Sequence, residues 1–256
     1  LEYYSNTHSE MHFGAKICTQ TYNWVHNKVL DFVNAAPDEY TCFFNGSGVT
    51  YVYDLGGGAI VETPYIVGIS GASGAILART LVDTLLRRDI PTAVVCSNAG
   101  RLVWHQELGY AFNETLAEWR EHPAFNHYLI NDLQAPIASG TVPAAGMVVI
   151  PASMNGVASL ANGMSGNLLL RAADVCLKEK RPLVLVPRET PLHSIHLENM
   201  LTLSRMGAVI LPPDPAFYLR PQGVEDIARF VVARVFLALG LDSAMPEDMR
   251  YQDGQV

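Results

Sequence analysis

Residues 65–88 read YIVGISGASGAILARTLVDTLLRR, and the fold is decided there. Tyr65–Ile69 is a short, uncharged, β-rich run, as in strands covered on both faces. Small residues from Ser70 to Ala75 follow at once, and Ile76 to Arg88 is amphipathic at helical spacing. Strand, small-residue turn and helix form one unit of an α/β protein, and the unit recurs downstream. Thr92–Cys96 is the next strand and Arg101–Leu108 the next helix. MVVI (147–150), LVLV (183–186) and AVIL (208–211) are further continuous apolar runs. Helical spacing returns over 156–177 and 193–206, and Val224, Ile227, Val231 and Val235 mark one face of a final helix. This alternation predicts a doubly wound parallel α/β sheet with right-handed crossovers. Its ligand site should lie at the carboxyl ends of the strands, near a topological switch.

Upstream, the run Leu55-Gly-Gly-Gly-Ala59 reads as a hinge or tight turn. Residues 1–62 carry two basic and seven acidic residues, against fifteen and eighteen over 63–256. These features predict an N-terminal extension (1–62), a main domain (63–243) and a tail (244–256). With 49% apolar and 16% charged residues the chain can bury a large core, and its low charge points to surface hidden in a homo-oligomer. A net charge of −8 argues against nucleic-acid binding, which needs a basic footprint. Cys18, Cys42, Cys96 and Cys176 are widely spaced without a CxxC pair, as expected of reduced thiols in a cytoplasmic protein. The start LEYYSNTHSE has no signal-peptide pattern. Leu133–Leu170 contains no charge, yet Pro136, Pro143, Pro151 and five glycines break it, so no membrane span is expected.

Three groups of residues carry chemistry. In Gly68-Ile-Ser-Gly-Ala-Ser-Gly-Ala75 the small side chains let a ligand approach, and the following helix offers free N–H groups to a phosphate. The pattern is not GxGxxG, and Ser97 stands where a dinucleotide site would have an acid, which favours a mononucleotide such as FMN. A ligand-free tight turn would use the same residues. The second group is Arg171, Lys178, Lys180, Arg181 and Arg188, with Glu189 beside the last. Arg188 and Glu189 follow the strand LVLVP, so cations there suit an anionic leaving group and Glu189 a proton carrier. A solvated helix face with an ordinary surface pair is the alternative, and it fits Lys180 and Arg181. The third group is Tyr218 in PAFYLRP, whose hydroxyl a rigid loop could present, and Arg234, which needs an anionic partner or a path to solvent on a largely apolar helix. His193 and His196 read as helix surface rather than a zinc site, Cys176 as inert, and Ser73 has no histidine partner for a hydrolase triad.

Taken together, GISGASGA, RAADVCLKEKRPLVLVPRETPLHSIHLENM, GAVILPPDPAFYLRPQ and the final helix resemble the flavin prenyltransferases of the UbiX type, over about residues 64–240. The resemblance implies a flavodoxin-like or Rossmann-like three-layer sandwich assembled into a dodecamer, with FMN at subunit contacts. It implies transfer of a dimethylallyl group from dimethylallyl monophosphate to N5 and C6 of reduced FMN. The prenylated product would serve a UbiD-type decarboxylase, and no metal would be required. By motif, Gly71, Ala72 and Ser73 would hold the flavin, and Ser97 would contact its phosphate or ribityl chain. Ser153, Met154, Asn155 and Gly156 would approach the ring, with Arg171 beside it. Lys178, Arg188, Glu189, Tyr218 and Arg234 would surround the substrate phosphate, partly from neighbouring subunits. Glu189, Arg188, Lys178 and Ser73 are the residues the resemblance puts at the chemistry.

Two positions depart from the family pattern. Gly156 replaces a threonine, and the tail MPEDMRYQDGQV lacks a tryptophan, for which Tyr251 is the substitute. A flavin-dependent cysteine decarboxylase of the phosphopantothenoylcysteine type is the nearest rival and would use a histidine such as His105. A catalytically silent flavin-binding subunit is the non-enzymatic one. YYSNTHSE and FFNGSGVT resemble the start of a class V PLP-dependent aminotransferase or cysteine desulfurase. Lys16, Lys28, Lys178 and Lys180 are the chain's lysines, and none has the context of a Schiff-base lysine, so the extension reads as a remnant or a packing arm docking through Trp24, Val25 and Leu30.

Overall fold

The computed structural model describes residues 40–44, 50–54 and 63–241. The chain divides into two compact units, Leu1–Glu62 and Thr63–Val256. In the first, β1 (Tyr40–Phe44) pairs antiparallel with β2 (Thr50–Asp54), Cys42 standing opposite Val52. The expectations placed on Trp24, Val25, Leu30 and Tyr251 lie outside the described residues.

In the second unit the elements run β3 (Tyr65–Ile69), α1 (Ala75–Leu86), β4 (Thr92–Cys96), α2 (Asn98–Leu108), α3 (Phe112–Arg120), β5 (Phe125–Tyr128) and β6 (Gly146–Ala152). They continue through α4 (Met154–Ala161), α5 (Leu168–Lys178), β7 (Leu183–Pro187), α6 (Ser194–Arg205), β8 (Val209–Ile210) and α7 (Val224–Ala238). The sheet order is β5-β4-β3-β6-β7-β8, and every pairing is parallel. Counted from β3 this is 3-2-1-4-5-6, the six-stranded doubly wound order, and the chain reverses direction across the sheet between β3 and β6. The expected fold is borne out.

Side-chain alternation explains the continuous apolar strands. Val67, Ile69, Val94, Val148 and Val184 enter one core, shared with Leu81, Trp104, Trp119, Val235 and Phe236 of the helices. Their neighbours Ile66, Ala93, Val95, Met147 and Leu185 enter the other, with Leu168, Ala172, Cys176 and Leu203. The central strands are therefore apolar at nearly every position, because both of their faces are covered.

Three expectations need correction. The helical stretch over 156–177 is two helices, α4 and α5: Gly163 turns the chain at φ 68°, and Asn167 caps α5 by accepting from the Leu170 N–H at 3.0 Å. The second helix begins at Asn98, not Arg101, because Ser97 Oγ caps it, accepting from the Gly100 N–H at 3.0 Å. Of AVIL, only Val209–Ile210 is strand. The sequence reading also passed over α3 and β5. FNHY in β5 carries an asparagine and a histidine, since an edge strand is not covered along its whole length. α3 earns its place through Phe112 and Trp119, whose rings meet Trp104 edge-on at 5.1 and 5.8 Å. Among the described residues no helix is long and apolar enough to cross a membrane.

Candidate active site

The carboxyl ends of β3, β4, β6 and β7 converge where the strand order reverses. Ser70, buried just past β3, holds the gap: its hydroxyl donates to the Pro151 carbonyl at 2.7 Å and accepts from the Ser153 N–H at 2.7 Å. Gly71 follows because nothing larger fits, as an added Cβ would lie 2.4 Å from the Ala99 side chain. Gly74, at φ 114°, then turns the chain into α1. Two serines cap the helices that start at these strand ends, Ser97 on α2 and Ser153 on α4, the latter accepting from the Gly156 N–H at 3.3 Å. Each helix also opens with N–H groups that it cannot satisfy itself, which gives α2 and α4 anion-seeking ends. Between α4 and α5 lies a small cavity of about 20 Å³, lined by Ser70, Ser153 and Gly156 and by apolar side chains such as Val157, Leu169 and Leu185. An added Cβ at Gly156 would meet only Ser153 Oγ, at 3.4 Å, so the space beside it is open.

The start of α1 differs from expectation. Its free N–H groups, predicted to take a phosphate, are held by Glu107 of α2. The carboxylate accepts from Gly74 N–H at 2.9 Å and Ala75 N–H at 2.8 Å. Burial pushes the Glu107 pKa up, but the Ser73 hydroxyl, the Ala75 and Gly74 N–H groups and the Arg188 charge together outweigh it and hold the carboxyl below its ordinary value. Ser73, Glu107 and Arg188 thus belong to one electrostatic neighbourhood. Glu107 was missed in the sequence. The only signal was indirect: α1 has no acid in its first turn and no side-chain cap of its own.

Arg188 and Glu189 follow β7. The Arg188 N–H donates to the Ala152 carbonyl at 3.2 Å, tying this loop to the end of β6, and Glu189 accepts from the Thr190 N–H at 3.0 Å. Both side chains are exposed. Ala72 is buried in the turn, and Asn155 is exposed on the first turn of α4. Met154 is instead packed into the second core. Arg171 donates to the Ala138 carbonyl and pairs with Asp174, both at 3.0 Å. Lys178 pairs with Glu179 at the far end of α5. It lies about 15 Å along the helix axis from the end that faces the strand termini. Arg234 is exposed on α7, a helix whose end brings Leu239 against Gly146 at the amino edge of the sheet. Tyr218 is 73% exposed in a 3-10 turn, Phe217–Leu219. One chain therefore brings Ser73, Ser97, Ser153, Arg188 and Glu189 to the strand ends but leaves Lys178 and Arg234 elsewhere. His105 is exposed on α2.

The family model described as Flavoprotein matches residues 59–236. A flavin prenyltransferase UbiX from Chlamydia pneumoniae is 44% identical over 179 residues, covering 70% of this chain and 93% of that protein. Its counterpart from Methanocaldococcus jannaschii is 42% identical over 182 residues, covering 70% and 95%. The chain belongs to the UbiX-type flavin prenyltransferases. Membership makes it a flavoprotein and a prenyltransferase. Solved members share the fold. AnUbiX, in complex with FMN and dimethylallyl pyrophosphate, superposes with a TM-score of 0.69 at 38% identity, covering 75% of this chain and 98% of that one. A dodecameric FMN-dependent UbiX-like decarboxylase from Escherichia coli O157:H7 gives 0.68 at 42% identity, covering 74% and 100%.

Proposed function

We propose that this chain acts in the cytoplasm, transferring a dimethylallyl group from dimethylallyl monophosphate to N5 and C6 of reduced FMN, and that a UbiD-type decarboxylase receives the product. The observation that carries the reading is the arrangement at the strand reversal. The Ser153-capped end of α4 lines a small cavity and the Ser97-capped end of α2 starts at the neighbouring strand end, while the start of α1 is closed by Glu107.

These residues fit a flavin mononucleotide. The ends of α2 and α4, with Ser97 and Ser153, would hold its phosphate and ribityl hydroxyls. The Gly71–Ser73 turn and the first turn of α4 at Asn155 and Gly156 would lie against its ring. Reduced FMN supplies the nucleophilic ring atoms that accept the prenyl group. Arg188 would stabilise the charge that builds on the departing phosphate as the allylic C–O bond breaks. Glu189, exposed beside it, would carry protons during ring closure. Glu107 is held ionised and keeps the Ser73 hydroxyl directed toward itself. Lys178, Tyr218 and Arg234, and Arg171 once released from Ala138, would complete the phosphate and ring contacts across subunit boundaries, in a homo-oligomer like that of the dodecameric relative.

Anaerobic incubation with reduced FMN and dimethylallyl monophosphate, followed by mass spectrometry of the extracted flavin, tests the reading. A flavin heavier by one five-carbon unit is expected, and tightly bound but unmodified FMN would overturn it. Repeating the assay with dimethylallyl pyrophosphate separates the two donors. Glu189→Gln should keep FMN and substrate binding while losing product, and unchanged turnover would remove Glu189 from the mechanism.

A further inference from the structure

Between the second half of α1 and α7 runs a groove of about 260 Å³ whose cations the prenyl transfer does not use. Arg87 and Arg88, just past the end of α1, line one side, and Arg229 of α7 lines the other. The floor is apolar, made by the buried Val232, Ala233 and Phe236. No acid stands among the described residues that line it. Two of the arginines are already fixed over it. Arg87 donates through Nε to the Asp83 carbonyl and through Nη2 to the Thr84 hydroxyl, both at 3.1 Å. The Arg88 guanidinium lies 5.4 Å from the centre of the Phe236 ring, so charge and apolar floor meet at one place. Arg229 pairs with Asp226 at 2.7 Å, but its side chain is 54% exposed, and an exposed pair of this kind is weak enough for an incoming dianion to compete.

An arginine at a helix C-terminus ordinarily serves the helix dipole, and that explains Arg87 taken alone. It does not explain Arg229, which lies in the first half of α7 and lines the same groove. In a chain of net charge −8, three cations around one apolar floor are a local exception. We propose that this groove binds a small phosphomonoester with an apolar body. Arg87 and Arg88 hold the phosphate, Val232 and Ala233 carry the body, and Arg229 adds its charge from α7. Planar guanidinium forks suit phosphate oxygens, which they engage two at a time. The volume is below the about 300 Å³ at which pockets for drug-sized molecules begin, which limits the ligand to a small metabolite. The groove is separate from the candidate active site. Arg87 comes twelve residues after Ala75, about 18 Å along α1 from the end that Glu107 holds. The proposal therefore stands independently of the prenyl transfer.

Isothermal titration calorimetry of the FMN-loaded full chain with phenyl phosphate, at pH 8 and low salt, tests it. The wild type should bind the probe, and should bind inorganic phosphate about tenfold more weakly, because the bare anion gains nothing from the floor. Arg87→Gln/Arg88→Gln should weaken phenyl phosphate about tenfold or more, as the loss of charge-assisted bonds does. Arg229→Gln, on the other helix, should shift affinity in the same direction and keeps the test decisive if the double variant does not fold. Arg188→Gln, which lacks a cation of the candidate active site, should still bind. A wild type that takes up no probe at millimolar concentration would sink the proposal. So would binding that survives in the groove variants and disappears in Arg188→Gln, since the phosphate would then sit at the strand ends. Equal affinity for phenyl and inorganic phosphate would overturn the role given to the apolar floor.

Discussion

Glu107 shows how one carboxylate can redefine a ligand site. Its carboxylate accepts from the Gly74 and Ala75 N–H groups at the start of α1, the end expected to hold a phosphate. Its pKa lies below that of an unfolded glutamate, so its stabilisation is complete above about pH 4.3 and disappears as pH falls through the folded value. Glu107→Gln should therefore lose about 1 kcal/mol at pH 7, a typical capping effect, in urea unfolding. The difference from wild type should shrink below pH 4. His127 of β5 has the opposite chemistry but the same pH slope. Burial first, then the charges of Arg101 and Arg120, push its pKa down to about 4. The unfolded chain binds that proton near pH 6.5 while the folded one does not, so stability is full above about 6.5 and falls as pH drops toward 4. Nuclear magnetic resonance should show an imidazole that stays neutral at pH 5.5, where an exposed histidine would be mostly charged. Residue by residue, legibility followed sequence distance. Ser97 and Ser153 were placed at the site by their motifs, although their capping of α2 and α4, which acts within three residues, was not read. Glu107 was missed, because its partners lie 32 and 33 positions away and meet it only once α1 and α2 pack.

At the scale of elements, the two glycines of the site make opposite predictions. Gly71→Ala forces a methyl group against Ala99 in the first turn of α2, and should cost about 1–3 kcal/mol as an overpacked contact. Gly156→Thr meets open space and should fold with a stability within about 1 kcal/mol of wild type. Thermal unfolding of the two variants decides both. Flavin retention in Gly156→Thr then reports whether the family's hydroxyl adds anything to this pocket. Element boundaries were less legible than element types. The break between α4 and α5 is made by Gly163 and by the Asn167 cap. The apolar spacing runs across both without showing where hydrogen bonding stops.

At the scale of the whole sheet, the doubly wound order was readable from central strands that are apolar almost throughout, since that pattern requires two covering layers. The phosphate-binding set was only half readable as a place. Motif order assigned Lys178 and Arg234 to it, but in one chain Lys178 sits at the far end of α5 and Arg234 on the exposed face of α7. The same two-sided packing predicts inert thiols. Burial pushes Cys96 and Cys176 up to about 12, so alkylation at pH 8 should leave both unmodified in the native protein and modify both in urea.

The Ser70 hydroxyl that spans from β3 to β6 also sets an order of events in folding. Its two partners lie 81 and 83 positions further along the chain. The cleft is thus a contact of high sequence separation, whose loop-closure entropy must be met before any of its bonds forms. During synthesis, the turn after β3 emerges long before the strand that completes it. A nascent chain ending before Ser153 would hold the glycine turn and Ser97 but no cleft. Flavin capture should therefore begin only after β6 has crossed the sheet, which makes cofactor loading a late reporter of productive folding.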